Sequence, residues 1–139
     1  MITREVDYAI RTVLSLAQRD VGVTSVSTSE LARDMEIPFR FLLRIVRKLV
    51  ESGIISSQRG NGGGITLLLP PEHVSLLSII AAIDNRSVKL NACLVDKSNC
   101  PRSGHCRVHG ELHRLQDVLN THLGQITMDQ LVSDPKKES

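Results

Sequence analysis

Apolar and polar positions follow a helical period through most of this chain. In VDYAIRTVLSLAQRD the apolar residues Val6, Ala9, Ile10, Val13, Leu14, Leu16 and Ala17 recur at helical spacing, and the pattern fades at Asp20 and Gly22. This predicts a first helix. STSELARDMEIP opens with Ser27 three residues ahead of Glu30, the spacing of a capping box, and predicts a short helix to about Met35. Pro38 then starts PFRFLLRIVRKLVESG, with proline near the first helical position and Gly53 suited to the C-terminal cap. Two short β-prone runs, IISSQRG and ITLLLP, flank the glycine-rich NGGG and predict a hairpin. SLLSIIAAID predicts a fourth helix, capped by Ser75 and apolar on its buried side. From about Arg107 the helical period returns at Val108, Leu112, Leu115, Leu119, Leu123 and Ile126.

Helix, helix, basic helix, hairpin is the order of a winged helix-turn-helix domain. The expected fold is therefore mostly α with a small β-hairpin, a winged helix-turn-helix domain followed by a long C-terminal dimerisation helix. Residues 1–72 form the domain in this reading, 73–106 a connecting helix and cysteine loop, 107–132 the dimerisation helix and a short terminal helix, and 133–139 a disordered tail. A long amphipathic helix after a small domain usually buries its stripe against a copy of itself, which predicts a homodimer through Val108, Leu112, Leu115, Leu119, Leu123 and Ile126. The alternative is that the stripe packs back on its own domain.

Composition narrows the chemistry. Only 2% of the 139 residues are aromatic, so the core must be built from Leu, Ile and Val, and the rings are too few for a platform that stacks single-stranded bases. A net charge of +2 means that nucleic-acid affinity must come from a local patch. The helix beginning at Pro38 supplies one. Arg40, Arg44 and Arg47 line one face with Lys48 beside them, while Phe41, Leu42, Ile45, Val46 and Leu49 occupy the other. Arginine forks of this kind reach phosphates or the acceptor edge of guanine in a major groove. A solvated charged face is the plainer reading, but the tip Arg59, Gly60, Asn61, Gly62 adds a cation beside glycines that allow close backbone approach, as a DNA-gripping wing requires.

Charges at Arg4, Glu5, Asp7 and Arg11 break up any signal-peptide core, and no apolar run has membrane-spanning length, so a cytoplasmic protein without a membrane partner is expected. Thiols there stay reduced, and an odd number of them reads as metal-binding or redox-reactive before it reads as a disulfide framework. Cys93, Cys100 and Cys106 are separated by six and five residues, wider than the close ligand pairs of structural zinc. Wide spacing suits a larger object such as an iron-sulfur cluster, with one coordination position left for another ligand. A cluster-free thiol sensor and a zinc-stapled protein-interaction module remain alternatives, and a small electron carrier fits the cysteines but not the basic helix and wing. No catalytic grouping or small-molecule substrate site is evident, so the chain is not read as an enzyme.

REVDYAIR, the SSQRGNGGG wing, AAID, the three-cysteine loop and ITMDQLV together resemble the Rrf-type family of iron-sulfur-sensing winged-helix transcriptional repressors, typified by IscR and NsrR. The resemblance covers nearly the whole chain. It implies a dimeric regulator, most often a repressor, that binds double-stranded DNA with an inverted-repeat operator and senses iron-sulfur status, redox stress or nitric oxide. It also implies a cluster on Cys93, Cys100 and Cys106. The fourth ligand matches His109 in IscR-like members, or Asp7 from the partner subunit in NsrR-like members. Residues 106 and 109 are one helical turn apart, which favours His109 on geometry, whereas His105 and His113 are expected to be solvated. IscR-like loops commonly have five residues between the first two cysteines, and this one has six, which leaves a two-iron or four-iron cluster undecided.

Overall fold

The computed structural model describes residues 2–19, 25–60, 63–86, 88–96 and 106–133, so all but the first residue of the expected tail lies outside the described residues. Helix α1 spans Arg4–Ala17. Thr3 caps it by accepting the Val6 N–H at 3.2 Å, and Glu5 and Asp7 place negative charge in its first turn, where the helix dipole favours it. Its buried stripe is Val6, Ala9, Val13, Leu16 and Ala17, joined by Thr12, whose hydroxyl donates to the Tyr8 carbonyl at 2.7 Å.

Helix α2 covers Thr28–Asp34 and α3 covers Phe39–Glu51. Ser27 caps α2, accepting from the Glu30 N–H at 3.1 Å. The turn between the helices is tight. Glu36 adopts φ 56°, a left-handed conformation rare for a residue with a Cβ, and the Ile37 N–H reaches back to the Ala32 carbonyl at 2.9 Å. Pro38 is the N-cap of α3 and lies just outside the helix rather than in its first turn. At the other end Gly53 takes φ 77° beyond the Ser52 cap, and the Ile54 N–H donates to the Leu49 carbonyl at 3.1 Å, the closure predicted for that glycine.

Strands β1 (Ile55–Gln58) and β2 (Gly64–Leu67) pair antiparallel, with Ile55 opposite Leu67 and Gln58 opposite Gly64. Val26 forms a further bridge to Ile65, two hydrogen bonds of 2.8 and 3.1 Å that tie the hairpin to the start of the helix-turn-helix. Gly64 is needed there. Its φ is 149°, and a Cβ would lie 2.5 Å from the Val26 carbonyl oxygen.

Helix α4, Leu76–Asp84, begins with a complete capping box in which Ser75 and Ser78 exchange hydrogen bonds of 3.1 Å. Its buried Ile79, Ile80 and Ile83 sit in an element packed against α1, α3 and α5. The long helix α5 runs over Arg107–Gln125 and the short α6 over Met128–Ser133. Between these two helices the chain returns to the segment that precedes α4. The Leu76 N–H donates to the Ile126 carbonyl and the Met128 N–H to the Val74 carbonyl, both at 2.9 Å, and Met128 is fully buried in the common core. The terminal helix is thus part of the winged domain's packing, against α1 and the 3-10 turn at Pro71–His73.

Two glycines give opposite expectations. Gly64→Ala forces a Cβ into the Val26 backbone from a left-handed φ and should cost about 2 kcal/mol or more. Gly110 stands inside α5, and a Cβ added there would meet nothing within 4 Å, so Gly110→Ala should add about 0.5 to 1 kcal/mol. Urea denaturation followed by circular dichroism checks both signs.

Candidate functional site

The candidate residues fall in two regions. The first is α3. Leu42, Ile45, Val46 and Leu49 are buried on one side, and Arg40, Leu43, Arg44, Arg47 and Val50 are exposed on the other, with Pro38 exposed at the helix start. The three arginines therefore share an outward face, interleaved with two apolar side chains. Lys48 is different. Its ammonium lies 2.8 Å from Glu5 Oε1 and donates to the Ile83 carbonyl at 3.3 Å, so it joins α3 to α1 and to the end of α4. Arg44 is intermediate, with its Nε 3.6 Å from the same Glu5 oxygen and its guanidinium 5.0 Å from the Phe41 ring centre.

At the wing, Arg59 and Gly60 are exposed directly after β1, while Asn61 and Gly62 lie outside the described residues. From the sequence alone the glycine run is a device for approaching another surface. Two of its members serve their own chain, Gly64 against Val26 and Gly63 against the Gln58 carbonyl, where a Cβ would sit at 2.5 Å. Arg59 and Gly60 remain at the outer surface.

The second region is the start of α5. Cys106 is its N-cap residue and half-buried, and Cys93 is half-buried in the 3-10 turn at Ala92–Leu94, which packs on α5. Both are free thiols. Cys100 and His105 lie outside the described residues, and among those described no three His, Cys, Asp or Glu side chains converge on a metal-sized site. His109, one turn after Cys106, is half-buried. His113 is exposed, with Nδ1 3.4 Å from Asp117, and its ring centre stands 6.4 Å from that of His109. Asp7 on α1 accepts from Arg11 Nε at 3.1 and 3.2 Å, a local ion pair.

Helix α5 turns part of its stripe back onto its own chain, the alternative open in the sequence, and the centre of that inward face is a polar residue that the apolar period does not mark. Gln116 is only 4% exposed; its Oε1 accepts the Leu90 N–H and its Nε2 donates to the Val88 carbonyl and to Asn120, all at 2.9 Å. This side chain ties the strand of chain that leads to Cys93 onto the long helix. Its signal in the sequence was a glutamine four residues after Leu112, in line with the apolar stripe. Leu112, Leu119, Leu123 and Ile126 share that half-buried inward arc, with Leu123 against the core. Val108, Leu115 and Val118 point outward and are 60%, 56% and 68% exposed. Val118, three residues after Leu115, belongs to the outward stripe and was not picked out from the sequence.

A family profile described as "Rrf2: Iron-dependent Transcriptional regulator" matches residues 2–134. A Haemophilus influenzae protein named as an HTH-type transcriptional regulator is 32% identical over 132 residues, covering 95% of this chain and 86% of that protein. The HTH-type transcriptional repressor NsrR of Streptomyces coelicolor is 27% identical over 134 residues, covering 96% and 89%. Among solved structures, CymR (YrzC), the global cysteine regulator of B. subtilis, superposes with a TM-score of 0.76 at 22% identity over 96% of each chain, a likeness of fold.

The glutamine clamp is testable by itself. Gln116→Leu keeps the volume but leaves the Leu90 N–H and Val88 carbonyl without partners, and should lower stability by about 1 to 3 kcal/mol. Hydrogen exchange should show the Leu90 amide losing its protection in that variant.

Proposed function

Because this chain belongs to the Rrf2 family of transcriptional regulators, we propose that it is a cytoplasmic, dimeric repressor that binds inverted-repeat DNA and senses iron-sulfur status, redox stress or nitric oxide. The observation that carries the sensing half is the placement of Cys106 and His109 one turn apart and half-buried, where the cysteine segment meets α5. Cys93 on the adjoining turn and Cys100 complete a soft donor set that fits an iron-sulfur cluster. Bound there, a cluster would supply a centre labile to oxidants and nitric oxide at its single non-thiolate ligand.

The chain's own residues would do the rest. Arg40, Arg44 and Arg47 would meet DNA from α3, and Arg59 with Gly60 would contact the flank. Val108, Leu115 and Val118 would form the seam with a second copy, in which Leu112 and Leu119 take a flanking place. Gln116 would hold the 88–90 segment so that the cysteine segment and α5 move together.

A second reading is favoured by the two free, half-buried thiols and by the likeness of fold to a cysteine regulator. In it the thiols themselves are oxidised and no cluster is bound. Analysis of anaerobically purified protein separates the two. Iron and acid-labile sulfide are expected, and each of Cys93→Ala, Cys100→Ala and Cys106→Ala should abolish them. Stoichiometric zinc, or protein free of iron and sulfide whose DNA affinity still follows thiol oxidation, contradicts the cluster. His109→Ala is expected to bleach it; bleaching by Asp7→Ala alone would move the fourth ligand to the partner's helix.

The dimer is tested separately. Leu115→Glu puts a charge in the centre of the outward stripe and should give monomers in sedimentation, with DNA affinity reduced on the order of a hundredfold or more as one half-site's contacts are lost. A dimer that survives places the interface elsewhere.

A further inference from the structure

Helix α1 presents Glu5 and Tyr8, one turn apart, to three residues of α3 at matching spacing, Phe41, Arg44 and Lys48. The Tyr8 and Phe41 rings meet edge to face, 5.5 Å apart at 87°. Phe41 in turn underlies the Arg44 guanidinium, and Glu5, whose side chain is 20% exposed, stands 3.6 Å from Arg44 Nε as an ion-pair partner while holding Lys48 at 2.8 Å. Arg40 and Arg47 have no ion pair or ring contact with another described residue.

A carboxylate beside a DNA-binding face opposes phosphate, so its presence needs a compensating role. Neutralisation does not explain it, because Lys48 alone already pairs with Glu5. Orientation does. A phosphate accepts an arginine from many directions, whereas the two acceptors of guanine demand a fixed fork, and a long side chain held beforehand loses less freedom on binding. We propose that Arg44 is the base-reading arginine of α3 and that Glu5 and Phe41 are its positioning residues. Arg40 and Arg47 then serve as phosphate contacts. The inference rests on the reading of α3 as the helix that enters DNA.

The test uses a duplex selected from a random library by the full-length protein, and the same duplex with each base pair changed in turn. Arg44→Ala should erase discrimination at one position per half-site, a loss on the order of tenfold, while Arg40→Ala and Arg47→Ala weaken all duplexes evenly. Glu5→Gln should lower discrimination at that same position by a few-fold and tighten binding to an unselected duplex by a few-fold, since the repelling charge is gone. Phe41→Leu should lower discrimination without the tightening. In the Arg44→Ala background neither change should alter discrimination further.

A purely structural role for Glu5 and Phe41 would weaken all duplexes together and leave the preference intact, and that result overturns the proposal. So does an even loss in Arg44→Ala. If Glu5→Gln does not fold, Phe41→Leu decides alone. If none of the three arginine variants changes affinity, the assignment of α3 to DNA falls as well, which is a different failure from loss of the positioning role only.

Discussion

Three isoleucines of α4, Ile79, Ile80 and Ile83, are buried in a helix that packs on α1, α3 and α5 at once. Burying side chains of this size contributes roughly 1.5 to 3 kcal/mol each, so the three together outweigh any single polar contact nearby. With few rings available, branched aliphatic side chains must interlock closely to fill this junction. α4 is consequently held in one place, and the cationic helix and the long helix are set relative to each other through it. The chain's return at Ile126–Met128 closes the same junction from behind, by pairing with Val74–Leu76 and inserting Met128.

Polar contacts add direction to this packing. At the last turn of α4 the Ile83 carbonyl accepts from Lys48 of α3, and a few residues later Gln116 of α5 grips Val88 and Leu90. The end of α4 is thus fastened to α3, and the segment that continues to Cys93 is fastened to α5. Gln116 joins the segment before Cys93 to α5, and Lys48 joins the end of α4 to α3 and, through Glu5, to α1. A regulator needs such a connection between the place where a signal arrives and the face that meets DNA.

Much of this was legible in the sequence. The period of apolar residues located α1, α3, α4 and α5, Ser27 and Ser75 marked helix starts, and Gly53 marked a helix end, because these features depend on neighbours within one or two turns. Long-range features were not legible. Lys48 looked like a fourth member of the cationic face, yet its partner Glu5 is 43 positions away and only the packing of α1 on α3 brings them together. The stripe on α5 read as one seam, but it divides into an inward arc with Gln116 and an outward one with Val118. The glycines of the wing looked directed at another molecule; Gly63 and Gly64 are spent on the Gln58 and Val26 backbones. Periodicity states which residues share a face, and it is silent on what that face meets.

The measurement that bears most directly on a sensor coupled to a DNA-binding face is the affinity of anaerobically purified protein for its selected duplex before and after exposure to a nitric oxide donor or peroxide. Release of the duplex on exposure is the predicted result, a fall of tenfold or more in affinity at constant salt, absent in Cys93→Ala and Cys106→Ala. An affinity indifferent to the treatment in the unaltered protein, with the same duplex bound equally well by the cysteine variants, would contradict it.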